Sequence, residues 1–205
     1  MKVVPLDNDY PETWLVGPAV DALRRGELIV MPTDSIYALA CDPWDASAVS
    51  ALYAAKRMEK TKRCSVMCGS LKQIGKVARA VSNDAFRFMR SHLPGAYTVL
   101  LHASRDLPRQ ATGGRKSIGV RIPDDPIALA VIEDFGGPIL VSSVPSWEND
   151  EAIDPVEVVK LLARQPSVIL DQGGRVAEPS SVVDFTRAEP ELIRLGKGPV
   201  DLESA

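Results

Sequence analysis

The chemistry written most plainly in this sequence is the holding of anions. Five of the eight residues Lys56-Arg57-Met58-Glu59-Lys60-Thr61-Lys62-Arg63 are basic. Cations crowded this closely repel one another unless an anion lies among them, and a phosphate-bearing ligand would relieve the repulsion. The same run also suits a solvated turn at a helix C-terminus, where each cation gains about 0.3–1 kcal/mol from the macrodipole. A second signal is Arg121 in Gly119-Val120-Arg121-Ile122-Pro123. An arginine amid apolar neighbours at a strand end requires an anionic partner, either an aspartate or a substrate carboxylate. Hydroxyls and a carboxylate follow another strand in Pro32-Thr33-Asp34-Ser35-Ile36-Tyr37. Open α/β sheets place ligands at such edges, although the same residues fit a turn that satisfies its own backbone. Further polar groups stand at strand ends: Thr98 in Pro94-Gly95-Ala96-Tyr97-Thr98, the pair Ser142-Ser143, and Ser180-Ser181-Val182-Val183-Asp184. Arg194 comes next, in Ile193-Arg194-Leu195-Gly196.

Other chemistries lack their residues. There is no G-x-x-x-x-G-K-[ST] loop, of which Gly113-Gly114-Arg115-Lys116-Ser117 is only a fragment, and no G-x-G-x-x-G, G-x-S-x-G or H-E-x-x-H. The two histidines are His92 and His102, and the three cysteines are Cys41, Cys64 and Cys68. Cys64 and Cys68 fall on a predicted strand, where residues four apart stand about 13 Å from each other. No metal site is expected, and the cysteines read as small buried hydrophobes.

The elements that must position these groups come from period and punctuation. Helices are predicted over Pro11–Arg25, from an Asp45 cap to about Arg57, over Leu71–Ala80, after a Ser82 cap, over Pro126–Phe135, and from Asp154-Pro155 to about Arg164. Strands are predicted over Glu27–Met31, Ser65–Cys68, Tyr97–His102, Ser117–Ile122, Ile139–Ser143, Val168–Leu170, Ser181–Phe185 and Leu192–Leu195. Helices interleave with strands, yet some strands follow one another directly, which implies a mixed sheet flanked by helices. The polar, acidic loop Val144–Ile153 is expected to be mobile. With 205 residues and no internal repeat, the chain reads as a single domain over 1–205.

Composition supports an ordinary globular protein, 45% hydrophobic and 25% charged. Net charge is −3, from 24 basic and 27 acidic residues, so any basic site arises from local clustering. No apolar run reaches about 18 residues and the N-terminus has no apolar signal core, so neither a membrane partner nor export is expected. An odd number of cysteines without a disulfide framework points to a reducing compartment, the cytoplasm.

In this order the motifs resemble those of the YrdC-like family of threonylcarbamoyl-AMP synthases, over about residues 12–198. The family's P-T-D-T-x-Y-x-L is similar to Pro32–Leu39, its K-x-R-x-x-x-K-P to Lys56–Arg63, and its P-G-P-x-T to Pro94–Thr98. Its V-R-x-P resembles Val120–Pro123, its S-T-V-V-D Ser180–Asp184, and its I-R-x-G Ile193–Gly196. The resemblance implies a twisted mixed α/β sheet around a basic concave cleft, and a monomer. It implies that ATP with magnesium, L-threonine and bicarbonate become threonylcarbamoyl-AMP and pyrophosphate, for the tRNA modification N6-threonylcarbamoyladenosine, with no prosthetic group. Carried over, the catalytic residues are Lys56, Arg57, Lys62 and Arg194, acting on phosphates. The substrate-binding residues are Thr33 for threonine, Tyr37 and Thr98 in the pocket, Arg121 for the threonine carboxylate, and Ser143 and Ser181 near the nucleotide. Two positions depart from the pattern. Met58 stands where the synthases have arginine, with Arg57 one residue off, and Pro145 replaces the asparagine of S-A-N. These departures resemble the YciO branch, which implies the alternative of a non-catalytic nucleotide- or double-stranded-RNA-binding protein.

Overall fold

The computed structural model describes residues 1–7, 9–57, 64–144, 152–176 and 178–201. Its strands are β1 (Lys2–Pro5), β2 (Ile29–Met31), β3 (Ala38–Cys41), β4 (Ser65–Met67), β5 (Ala78–Arg79), β6 (Tyr97–Ala103) and β7 (Ser117–Arg121). They continue as β8 (Ile139–Ser143), β9 (Ala152–Ile153), β10 (Val168–Asp171), β11 (Arg175–Val176), β12 (Ser181–Asp184) and β13 (Glu191–Arg194). The helices are α1 (Gly17–Arg24), α2 (Ala46–Ala55), α3 (Leu71–Val77), α4 (Asn83–His92), α5 (Pro126–Phe135) and α6 (Pro155–Val158), with 3-10 turns at Thr13–Val16 and Val159–Leu161.

Side-chain caps set the starts of several helices. Asp45 Oδ1 accepts from the Ser47 and Ala48 amides, Ser82 Oγ from Ala85, and Asp125 Oδ1 from Ala128. Pro126 fills the first turn of α5, and Gly136 ends it at φ +87°, a left-handed conformation suited to glycine.

Among the described residues eleven strands form one sheet in the order β1-β10-β2-β3-β8-β4-β7-β6-β12-β13, with β5 paired to β6; β9 and β11 form a separate antiparallel pair. The pairs β1–β10, β10–β2, β4–β7 and β6–β12 are parallel and the other pairs in the large sheet are antiparallel. The sheet is therefore mixed and flanked by helices, as the interleaving predicted.

Alternation along the strands divides the core into two layers. Val30, Leu39, Val66, Leu140 and Val120 pack on one face with Leu52 of α2, Ile74 of α3 and Phe88 of α4. Ile29, Met31, Ala40, Met67 and Ile139 pack on the other with Val20 and Leu23 of α1 and Ile127 and Val131 of α5. On that second face α1 packs over β10 and β2. Farther along the sheet, over β4, β7, β6 and β12, the same face presents Met67, Arg121, Thr98 and Val182 to a cavity.

Several predicted bounds move. The helix expected over Pro11–Arg25 is a 3-10 turn followed by α1, and the one from Asp154 is a single α-turn followed by another 3-10 turn. Strands β1 and β3 were not predicted: Lys2–Pro5 is a short run stopped by proline, and Ala-Leu-Ala-Cys in β3 lacks both alternation and β-branching. Residues 145–151 of the acidic loop lie outside the described residues. No helix among the described residues is long and apolar enough to cross a membrane.

Candidate functional site

The pairing register builds the site. Met67 stands opposite Arg121, Thr98 opposite Val182, and Val182 opposite Arg194. With Val99 opposite Val120, Thr98 neighbours Arg121, so one row crosses from β4 to β13 on a single face. Arg121 and Arg194 are three strand spacings apart in that row, about 14 Å. They line a cavity of about 830 Å³ together with Lys56, Thr98, Ser142 and Ser180. That volume lies within the roughly 300–1,000 Å³ of small-molecule sites.

Each cation is held differently. Arg121 has a side chain 6% exposed; Nη2 donates to Asp34 Oδ1 at 2.5 Å and Nη1 to Ser35 Oγ at 2.6 Å. The anionic partner that its apolar setting demanded is thus Asp34. Two atoms of this buried pair, Arg121 Nε and Asp34 Oδ2, have no hydrogen-bond partner among the described residues. Arg194 donates from Nη2 and Nε to the Ser180 carbonyl at 2.7 and 3.1 Å. Burial, and then the charge of Arg121, push the Arg194 pKa down. Lys56, just beyond α2, reaches across to β8, where Nζ donates to Ser142 Oγ at 2.8 Å and to the Ser143 carbonyl. Three cations around one concavity, with the Asp34 side chain paired to Arg121, make the cleft an electropositive trap for an anion.

Thr98 Oγ1 meets Ser180 Oγ at 2.9 Å inside the cavity, and Ser143 lines its rim. Thr33 is 1% exposed and lies off the lining. Its hydroxyl donates to the Ile36 carbonyl at 2.7 Å and accepts from the Ser35 amide, shaping the turn that carries Asp34 and Ser35. Tyr37 also lies off the lining, at 1% exposure; its hydroxyl donates to the Gly173 carbonyl and accepts from the Gln172 amide, both at 2.9 Å. Burial pushes its pKa up to about 12. Ser181 is fully buried, donating to the Gly198 carbonyl and accepting from the Gly196 amide. Its neighbour Ser180 is the serine that faces the cavity. Arg57 is exposed, at φ +49°, and does not line the cavity. Lys62, Met58 and Pro145 lie outside the described residues.

Sequence reasoning did not single out Cys64, Ser65 and Met67 as cavity lining. Continuing the alternation of β4 beside Arg121 would have pointed to Ser65 and Met67; nothing in the sequence pointed to Cys64. Burial raises the pKa of all three cysteine thiols, which are free. Among the described residues no group of three or more His, Cys, Asp or Glu could hold a metal ion.

Gly196 explains how two motifs far apart in sequence meet. A Cβ there would stand 2.1 Å from the Pro179 carbonyl oxygen and 2.7 Å from the Ser180 carbonyl carbon. Only glycine lets this chain press against Pro179–Ser180 and bring Arg194 onto the Ser180 carbonyl. Gly196→Ala is expected to cost about 1–3 kcal/mol in chemical denaturation, since backbone must move to relieve the overlap. A variant of unchanged stability would show that the contact is loose.

A family model named for Sua5, YciO and YrdC, described as "Telomere recombination", matches residues 21–196. YciO of Escherichia coli (strain K12) is 35% identical over 195 residues, 94% of each chain. The crystal structure of E. coli YciO superposes with a TM-score of 0.83, at 33% identity, over 98% of this chain and 97% of that one. A protein of Mycobacterium tuberculosis (strain H37Rv) named as a putative threonylcarbamoyl-AMP synthase is 30% identical over 90% of this chain and 84% of its own. The structure of Pyrococcus abyssi Sua5 complexed with L-threonine superposes with a TM-score of 0.86 at 27% identity, over 96% of this chain. This chain spans only 58% of that longer one.

Proposed function

The chain belongs to the Sua5–YciO–YrdC family, and from that premise we propose that its cleft makes threonylcarbamoyl-AMP from ATP, L-threonine and bicarbonate. The observation that carries this reading is the convergence of Lys56, Arg121 and Arg194 on one cavity of about 830 Å³. Such a space suits an adenylate and a small amino acid together, and its cations suit a triphosphate and a carboxylate. The threonine complex of the related Sua5 supports the amino-acid half.

In this reading Arg121 receives the threonine carboxylate. A guanidinium has five N–H donors, and Asp34 and Ser35 engage two of them while fixing its plane. The threonine amine attacks the carbon of bicarbonate or its CO2, giving a carbamate and water. A carbamate oxygen then attacks the α-phosphorus of ATP, and the bond from that phosphorus to the bridging oxygen breaks, releasing pyrophosphate. Lys56, Lys62 and Arg194 hold the phosphates and neutralise the charge that develops there. Catalysis is by positioning and electrostatics, with no covalent protein nucleophile. Magnesium comes with ATP, carried on the phosphates. The product feeds N6-threonylcarbamoyladenosine synthesis on tRNA, in the reducing cytoplasm that suits three free cysteines.

The test is pyrophosphate release from ATP, with threonine and bicarbonate each omitted in turn, alongside the salt dependence of ligand binding. Release requiring both co-substrates, and ATP affinity that falls less steeply with salt than RNA binding would, are expected. No release, combined with tight duplex-RNA binding that falls steeply with salt as counterions are displaced, would favour the RNA-binding alternative instead.

Pro145 offers a carbonyl but no side-chain amide. Restoring an asparagine there supplies a donor and an acceptor, and a hydrogen bond to a charged group contributes roughly 1.5–3 kcal/mol. Pro145→Asn is therefore expected to tighten ATP about ten- to hundredfold in calorimetry. Val144 is left alone, because it is buried in the core. Equal affinity in both proteins would show that position 145 makes no nucleotide contact.

A further inference from the structure

A second cavity, of about 560 Å³, shares no lining residue with the cleft. Val49, Tyr53 and Ala54 of α2 form one wall, and Arg109, Gly113 and Gly114, from the segment between β6 and β7, form the other. Gly113 and Gly114 both adopt left-handed backbone, at φ +60° and +79°. Their amides are consumed inside the turn, by the carbonyls of Gln110 and Arg109. The glycine turn therefore presents flat peptide surface and offers a ligand no amide for an anion. That task falls to Arg109. Its Nε lies 3.7 Å from where a Gly114 Cβ would stand, so the guanidinium lies over the glycine turn. Arg109 makes no ion pair among the described residues. A mainly apolar slot with a flat wall, an aromatic ring opposite and one uncommitted cation is complementary to a planar ring that carries an anionic group.

We propose that this cavity is a second ligand site, for a small planar aromatic carboxylate or phosphate, with its ring between Tyr53 and the Gly113–Gly114 turn and its anion on Arg109. The site communicates with the cleft through one contact. The Tyr53 hydroxyl and the Cys64 thiol lie close enough for each to shift the other's pKa, and Cys64 lines the cleft. A ring packed against Tyr53 thus presses on a side chain that neighbours a lining residue of the first cavity, independently of which reaction occurs there.

The test uses 1-naphthoate and 1-naphthyl phosphate as probes, titrated calorimetrically into the full chain with and without saturating ATP. Both are expected to bind in the presence of ATP, the tighter one identifying the anion the site is built for. Arg109→Ala should weaken the tighter probe about tenfold. Ala54→Trp should abolish binding by filling the slot from an exposed helix position, while Arg194→Ala, in the cleft, should leave it unchanged. Failure of both probes to bind, their displacement by ATP, or equal affinity in folded Arg109→Ala and Ala54→Trp would overturn the proposal.

Discussion

Arg121→Ala is expected to lower the melting temperature by roughly 6–20 °C. The substitution leaves Asp34 with a side chain only 10% exposed and its guanidinium partner gone. Breaking a buried pair on one side typically costs about 3–5 kcal/mol, because the remaining charge is uncompensated. For a domain of this size each kcal/mol is worth about 2–4 °C. Ser35 also loses the guanidinium that its hydroxyl receives, and the turn from Thr33 to Ile36 loses its tie to β7. The double variant Arg121→Ala, Asp34→Ala should recover part of the loss, since no orphaned charge remains. The measurement is thermal or urea unfolding of the two single variants and the double. A fall of only a degree or two in Arg121→Ala would mean that Asp34 is readily solvated, and that the arginine is held for its ligand alone.

The second large effect falls on ligand affinity. Lys56→Ala combined with Arg194→Ala should weaken ATP about 100- to 10,000-fold. Each side chain is a cation on the cavity wall, and a charge-assisted contact contributes about 1.5–3 kcal/mol, which is about ten- to hundredfold apiece. The two act from different walls, β13 and the end of α2, so their losses should nearly add. Stability should change far less than in Arg121→Ala. Among the described residues at the cleft, Arg194 and Lys56 donate to carbonyls and a serine hydroxyl, not to a buried carboxylate like Asp34. Calorimetric titration of ATP into the folded double variant checks this. Unchanged affinity would reduce both residues to braces between β12 and β13 and between α2 and β8.

How much of this was legible in the sequence depends on the element. Helix α5 was read to the residue, because Pro126 and Gly136 are local signals that act within one turn. Strand β8 was equally clear, a buried run between Pro138 and two serines. Strand β3 was hidden, because its stability comes from neighbours β2 and β8 on both sides and not from its own residues. At the site, Arg121 declared itself by charge in an apolar setting. What no local pattern could settle is which of two adjacent serines faces the cleft, since that depends on the register of β12 on β6. Ser180 faces in and Ser181 is consumed by Gly196 and Gly198. Thr33 and Tyr37 belong to the same class. Their hydroxyls looked available in sequence, and the fold spends them on backbone groups near and far along the chain.

In the proposed reaction one cleft joins a nucleotide, an amino acid and a one-carbon unit. The most direct measurement follows the carbon of labelled bicarbonate, with ATP and L-threonine, into the product mixture by mass spectrometry. A labelled species with the mass of threonylcarbamoyl-AMP is expected, formed with pyrophosphate and lost when either threonine or Arg194 is removed. Consumption of ATP with no labelled carbon in any adenylate, or no ATP consumption at all in a protein that binds both ligands, would contradict it.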